Sequence, residues 1–407
     1  MKKDVHTRTR LRDFHTHVGA LLCVGALVIL LALWMRGTDA SIDAKARAIV
    51  AECTKTQGDH SACYEAQVPN FYPQVSVSQL FAIIREIRVL DTSYQFCHVL
   101  AHKIGEKVVE ANPDGWVDAI PLNPSDGLCS NGFIHGVIGG RFRAEVLSDR
   151  TIQTLLPDFT RACMPRSAWQ PSSLDRAICY HGMGHLFDFI TNANIEAALS
   201  LCKKVVPDEH LRTCVQGVFM QIYQPLEPDD YALIAQMPTK PTPSTVRDYC
   251  ARFRADAMAE GSCIEESWPM QRRGILDGTG VEKLCGWEPN ATEREVCYVA
   301  MSSIIGRLSL GNTDKVVQAC SAFPAEHQGT CFSNSAGAVL EENRADASEA
   351  IALCMRAPPD IALGCISSLI GRAQFTFGAN RMEYQNFCNA LTGADRDTCL
   401  ASLEKTQ

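Results

Sequence analysis

The sequence predicts an all-α fold: disulfide-stapled helical hairpins stacked as an α-solenoid of period about 34, behind one N-terminal transmembrane helix. Three observations carry that prediction. Cysteines recur in close pairs at a nearly constant step, apolar residues follow them at helical spacing, and one uncharged segment lies near the start.

Taken in order, residues 1–17 form a basic tail with Lys2, Lys3, Arg8, Arg10 and Arg12. Residues 18–35, "VGALLCVGALVILLALWM", carry no charge over 18 positions, enough for a helix to cross a bilayer. Only Arg36, Lys45 and Arg47 follow closely, so the charge bias places the tail in the cytoplasm and the remainder outside. Residues 36–48 then read as a linker. A cleaved signal peptide ending near "TDA" (38–40) is the alternative, although the apolar run is long for a signal core. The chain holds 19 cysteines; Cys23 falls in the apolar segment and leaves 18, an even number that implies disulfides in an oxidising compartment. The expected location is the bacterial inner membrane, crossed once, with the C-terminal region in the periplasm.

The cysteines set the repeat. Cys53/Cys63, Cys163/Cys179, Cys202/Cys214, Cys250/Cys263, Cys285/Cys297, Cys320/Cys331, Cys354/Cys365 and Cys388/Cys399 are close pairs, and the second members from Cys263 to Cys399 advance by 34 residues each time. In "CYVAMSSIIGRL", Cys297, Ala300, Met301, Ile304, Ile305 and Leu308 mark one helical face; Ile366, Leu369, Ile370 and Ala373 do so after Cys365. Turn-forming stretches such as "APPD" (357–360) and "TGAD" (392–395) lie between paired cysteines. Each unit is therefore helix A, a turn and helix B, with a disulfide beside the turn that contributes roughly 3 kcal/mol by the loop-entropy argument. Cys97 and Cys129 lack close partners, and parity pairs them with each other. Residues 49–225 are the histidine-bearing repeats, 226–245 a proline-rich junction, and 246–407 a plainer cysteine-paired array. Over residues 50–405 this architecture resembles Sel1-like and other TPR-type α/α repeats of the exported, cysteine-rich kind.

Histidines follow the same register. His98 and His102 lie one and five places after Cys97, His135 six after Cys129, and His181 and His185 two and six after Cys179. Later units hold Ser303, Gly337 and Gly371 at the sixth place, small residues that suit a groove-facing surface. Residues four apart share a helix face, so each pair can aim two imidazoles at one point. Glu106 and Asp188 offer carboxylates on nearly the same faces. The expected metal ligands are thus His98, His102, Glu106, His135, His181, His185 and Asp188, and the donor set suits a divalent transition metal, whether Zn, Fe, Cu or Mn. The competing reading makes them polar groove residues. His6, His15, His17, His60, His210 and His327 fall outside the register and read as ordinary surface residues.

Two functions from different classes follow. One is a membrane-anchored periplasmic protein with a histidine-rich metal site, capable of activating water or oxygen at an open position. The other is a scaffold without metal that binds a protein or peptide in the solenoid groove. No catalytic nucleophile stands out, and no C-x-x-C-H haem attachment motif is present. The 38 basic against 46 acidic residues, a net charge of -8, weigh against nucleic acid.

Overall fold

The computed structural model describes residues 40–55, 58–94, 96–142, 146–166, 169–378 and 380–405. The expected membrane segment 18–35 and Cys23 lie outside them, and no helix among the described residues is long and apolar enough to cross a membrane. Within those residues the chain is helical, with one isolated bridge between Arg166 and Trp169.

Two compact units result, one ending at residue 95 and one running from Phe96. The first packs a helix over 40–53 with Ser61–Gln67 and Val77–Leu90. Its first helix begins inside the stretch read as a linker to residue 48. Val77–Leu90 starts on a capping box, in which Ser76 and Gln79 each bond the other's backbone N–H. His60, read as a surface residue, bonds Asp91 at 2.8 Å, and the Tyr64 hydroxyl donates to the same carboxylate at 2.7 Å.

In the second unit the B helices run in register: His98–Ala111, Gly132–Phe142, Ser173–Ile190, Leu211–Tyr223, Ala257–Glu266, Ala291–Leu308, Ala325–Glu342, Pro359–Phe377 and Gly393–Lys405. Asn194, Asn312 and Asn380 begin the A helices Ile195–Val205, Thr313–Ser321 and Arg381–Ala390, each side chain accepting from a first-turn N–H. The eight disulfides expected from the spacing are present, and so is Cys97–Cys129, expected from parity. Eight join two neighbouring helices across the turn between them. Cys97–Cys129 ties together the two histidine helices, with Cα atoms 4.9 Å apart.

Apolar patterning is realised unevenly. Ile366, Leu369, Ile370 and Ala373 are all buried. In Ala291–Leu308, however, the buried stripe is Cys297, Tyr298, Met301, Ser302, Ile305 and Gly306, while Leu308 stays exposed. The stripe widens because each B helix is covered on two sides, by its A helix and by the next B helix. Their inner faces are joined by ion pairs: Arg212 with Glu265 (3.3 Å) and Glu293 (2.5 Å), and Glu341 with Arg307 (2.7 Å) and Arg372 (2.5 Å).

The open array expected from the repeat bends back on itself. Arg344, which follows the Ala325–Glu342 helix, donates to Asp175 at 3.0 Å and to the Ser125 carbonyl at 2.9 Å. Ser130 donates to Glu342 at 2.5 Å, and the backbone at Gly378 lies against Ser172. Segment 112–127 carries a short helix, Trp116–Ala119, whose tryptophan is buried against Phe142 and Phe159. Phe159 packs in turn on Phe187, so an aromatic layer backs the three histidine helices.

Candidate metal centre

Five histidines converge where His98–Ala111, Gly132–Phe142 and Ser173–Ile190 pack side by side. Glycines allow the approach. A Cβ on Gly136 would sit 2.1 Å from the carbonyl oxygen of His102, and one on Gly217 would sit 2.1 Å from that of His181. Only hydrogen fits there, and backbones this close bring short imidazoles into reach of one another.

His135 occupies the middle. Its ring centroid lies 5.4 and 5.6 Å from those of His98 and His102, and 5.8 and 5.5 Å from those of His181 and His185. One nitrogen from each of His98, His102 and His135 lies within 4.8 Å of the other two, a grouping that can hold a metal ion. His135 Nε2 is buried without a hydrogen-bond partner.

The tautomers can be worked out from acceptors. His98 Nδ1 lies 3.1 Å from the Cys129 carbonyl, which only accepts, so Nδ1 carries the proton. That carbonyl is aimed by a left-handed turn: Cys129, Ser130 and Asn131 have φ of 60°, 51° and 57°, a conformation costly for residues with a Cβ. His102 Nδ1 lies 2.9 Å from Glu227 Oε1, while Lys103 Nζ holds Glu227 Oε2 at 2.6 Å. The carboxylate therefore accepts from His102 as well. Both Nε2 atoms are left with lone pairs, and they face each other at 3.0 Å.

Two lone pairs so placed repel unless a cation lies between them. Burial beside His102 pushes the pKa of His98 down to about 3, so His98 Nε2 keeps its lone pair at neutral pH. A metal bonded to both nitrogens at about 2.0–2.1 Å would hold them roughly 3 Å apart. Burial likewise moves His135 and His181 well below the ordinary histidine value and His185 down to about 4, so these rings are neutral ligands at neutral pH. The triad opens onto a cavity of about 60 Å³ that His185, Met220, Gln221 and Asp230 also line, a space for water-sized molecules.

Glu106 and Asp188 fall outside that grouping of three. Glu106 gives its carboxylate to Lys103 at 3.1 Å, on the same helix. Asp188 is 1% exposed, and neither of its oxygens has a partner. Burial, reinforced by Asp230, pushes its pKa up to about 8, so it is protonated at neutral pH. His210 is buried against Tyr180, which corrects its reading as a surface residue, while His327 stays partly exposed and stacks on Tyr298 at 3.7 Å.

Asp188 yields a stability prediction. Its folded pKa lies above the unfolded carboxylate value of about 3.9, so the native state binds more protons between those limits and loses stability as pH rises toward 8. Asp188→Asn removes that slope. The variant should exceed wild type at pH 8 by roughly a few kcal/mol, with the gap narrowing toward pH 5. Denaturant unfolding at both values measures it; an equal gap at the two would show that Asp188 ionises normally.

Sequence reading missed four residues around the histidines. Glu227 and Asp230 lie in the proline-rich stretch read as a junction, yet Glu227, Pro228 and Asp230 spell a helix start, and the Pro228–Ala235 helix begins there with the Asp230 carboxylate accepting from the Glu227 N–H at 2.9 Å. Gln221 donates to Asp230 at 2.7 Å and accepts from His185 Nδ1 at 2.7 Å. Met220 sits six places after Cys214, the register position that His135 and His185 occupy. Comparisons with family models, curated proteins and solved structures returned no match to this chain.

Proposed function

We propose that this is a membrane-anchored, exported helical-repeat protein that holds a divalent transition metal, Zn, Fe, Cu or Mn, on His98, His102 and His135. The observation that carries the reading is the pair of facing Nε2 atoms, 3.0 Å apart, each fixed as a lone-pair donor from behind. Glu227 and the Cys129 carbonyl play the part that outer hydrogen-bond acceptors play for metal-bound imidazoles elsewhere, setting tautomer and ring orientation. Export is supported by nine disulfides, and anchoring by the uncharged segment 18–35. The likeness to Sel1-like and TPR-type repeats belongs to this reading as architecture alone. Three histidines leave a coordination position toward the cavity, the arrangement a metal needs to activate bound water.

The scaffold reading rests on a different place. A cavity of about 320 Å³ between Ala325–Glu342 and Pro359–Phe377 is lined by Ser333, Gly337, Ser368, Gly371 and Arg372, the small-residue face the repeat predicts for partner binding. Elemental analysis of the full-length protein, purified from membranes and loaded in turn with each of the four metals, separates the two. At least one equivalent is expected in wild type, with loss on His98→Ala, His102→Ala or His135→Ala and no change on His327→Ala. A wild type that binds none of the four leaves the scaffold reading in possession. Recovery of a soluble form starting near Ser41 would remove the anchor from the proposal.

A further inference from the structure

The second histidine pair is built from different donors. His181 turns Nε2 toward the Sδ of Met220, 3.1 Å away. A thioether has no proton to give and accepts only weakly, so this contact is a poor hydrogen bond for a buried imidazole. It is close to the spacing of two ligands on one ion: bonds of roughly 2.0–2.3 Å meeting at a tetrahedral angle set nitrogen and sulfur about 3.5 Å apart, a few tenths of an ångström beyond this contact.

His185 completes the arrangement. Its ring centroid lies 4.9 Å from that of His181, one helical turn away. Its Nδ1 is 2.7 Å from Gln221 Oε1, and Gln221 Nε2 is 2.7 Å from the Asp230 carboxylate. An ionised carboxylate only accepts, which fixes the amide with its nitrogen toward Asp230 and its oxygen toward His185. The His185 proton is thereby held on Nδ1, and Nε2 is left as a donor. Asp230, Gln221 and His185 thus repeat, through one extra amide, what Glu227 does directly for His102. Both carboxylates come from the start of the Pro228–Ala235 helix.

We infer that His181, His185 and Met220 form a second, soft metal subsite that takes a copper(I) ion beside the His98–His102–His135 centre. The inference rests on reading the histidine cluster as a metal centre, and it adds a distinct position with its own preference. Thioether sulfur with imidazole selects copper(I), whereas three imidazoles backed by a carboxylate suit the divalent ions. His135, whose ring lies between the two pairs, is the side chain through which ions at the two positions would sense each other.

Full-length protein is loaded anaerobically, first with zinc and then with copper and ascorbate, which maintains copper(I) without opening disulfides; a thiol titration confirms that they remain closed. After desalting, wild type should retain zinc and one equivalent of copper, with a sulfur neighbour in the copper X-ray absorption spectrum. Met220→Leu, a swap of similar volume, should keep its zinc, lose the copper equivalent and show no sulfur neighbour. Retained zinc reports that this variant is folded. The inference is overturned if wild type binds zinc without copper, if its copper lacks a sulfur neighbour, or if Met220→Leu keeps the copper equivalent. Failure to bind either metal overturns the inference, and the underlying proposal falls with it only if iron and manganese also fail to bind.

Discussion

Gly136→Ala should cost about 3 kcal/mol of stability and abolish stoichiometric metal binding. The new methyl would lie 2.1 Å from the His102 carbonyl oxygen and 2.5 Å from its Cα, and neither is the movable tip of a side chain. The Gly132–Phe142 and His98–Ala111 helices must separate by about an ångström to admit it, whereas metal–ligand distances tolerate about 0.2 Å. His135 rides on one of these helices, and His98 and His102 on the other. The centre should therefore fail even where the fold persists. Gly371→Ala is the matched control: it also lies in a B helix, but its Cβ meets nothing within 4 Å, and the exchange should be neutral or slightly stabilising. Chemical denaturation and metal content on the two variants test this together. A Gly136 variant with wild-type metal content would mean that close helix contact does not set the ligand geometry.

The reach and the limit of sequence reading are both visible at this site. Cysteine spacing revealed the hairpins because each disulfide closes a loop of 10 to 16 residues, apart from the 32-residue link between Cys97 and Cys129, and a period survives in such short distances. Histidine register followed from the same period. The partners that orient those histidines did not, since Glu227 lies 125 residues from His102, and proline-rich sequence around it masked a helix start. Closure of the array was likewise illegible. Arg344 reaches Ser125 across 219 residues, and a single buried arginine has no local signature. The helical face of Ala291–Leu308 was misjudged for a related reason. Periodicity reports that one side is apolar, but a helix flanked on both sides also buries Ser302 and Gly306, which no hydropathy pattern marks. Asp188 lies only about 60° round the helix from His185, yet its two oxygens are buried without a partner, because helical spacing fixes the direction of a side chain and not what surrounds it.

Glu227→Gln should weaken metal binding by roughly 10- to 100-fold while leaving the fold intact. The side chain is nearly isosteric, so the loss is chemical. The carboxylate accepts from His102 Nδ1 at 2.9 Å and from Lys103 Nζ at 2.6 Å. An amide has one accepting oxygen for two donors, and its NH2 group must then face one of them. If the NH2 faces His102, it demands a lone pair at Nδ1, which moves the ring proton to Nε2 and blocks the metal. If it faces Lys103, the ring keeps its tautomer but loses the negative charge that raised its basicity. Lys103 retains Glu106 at 3.1 Å in either case, so no charge is stranded and stability should change by less than about 1 kcal/mol. Competition with a chelator of known affinity measures the binding loss, and denaturant unfolding of the metal-free protein measures stability. Unchanged affinity would mean that His102 is oriented by packing alone. An affinity loss matched by an equal loss of metal-free stability would make Glu227 a structural residue rather than a tuner of the centre.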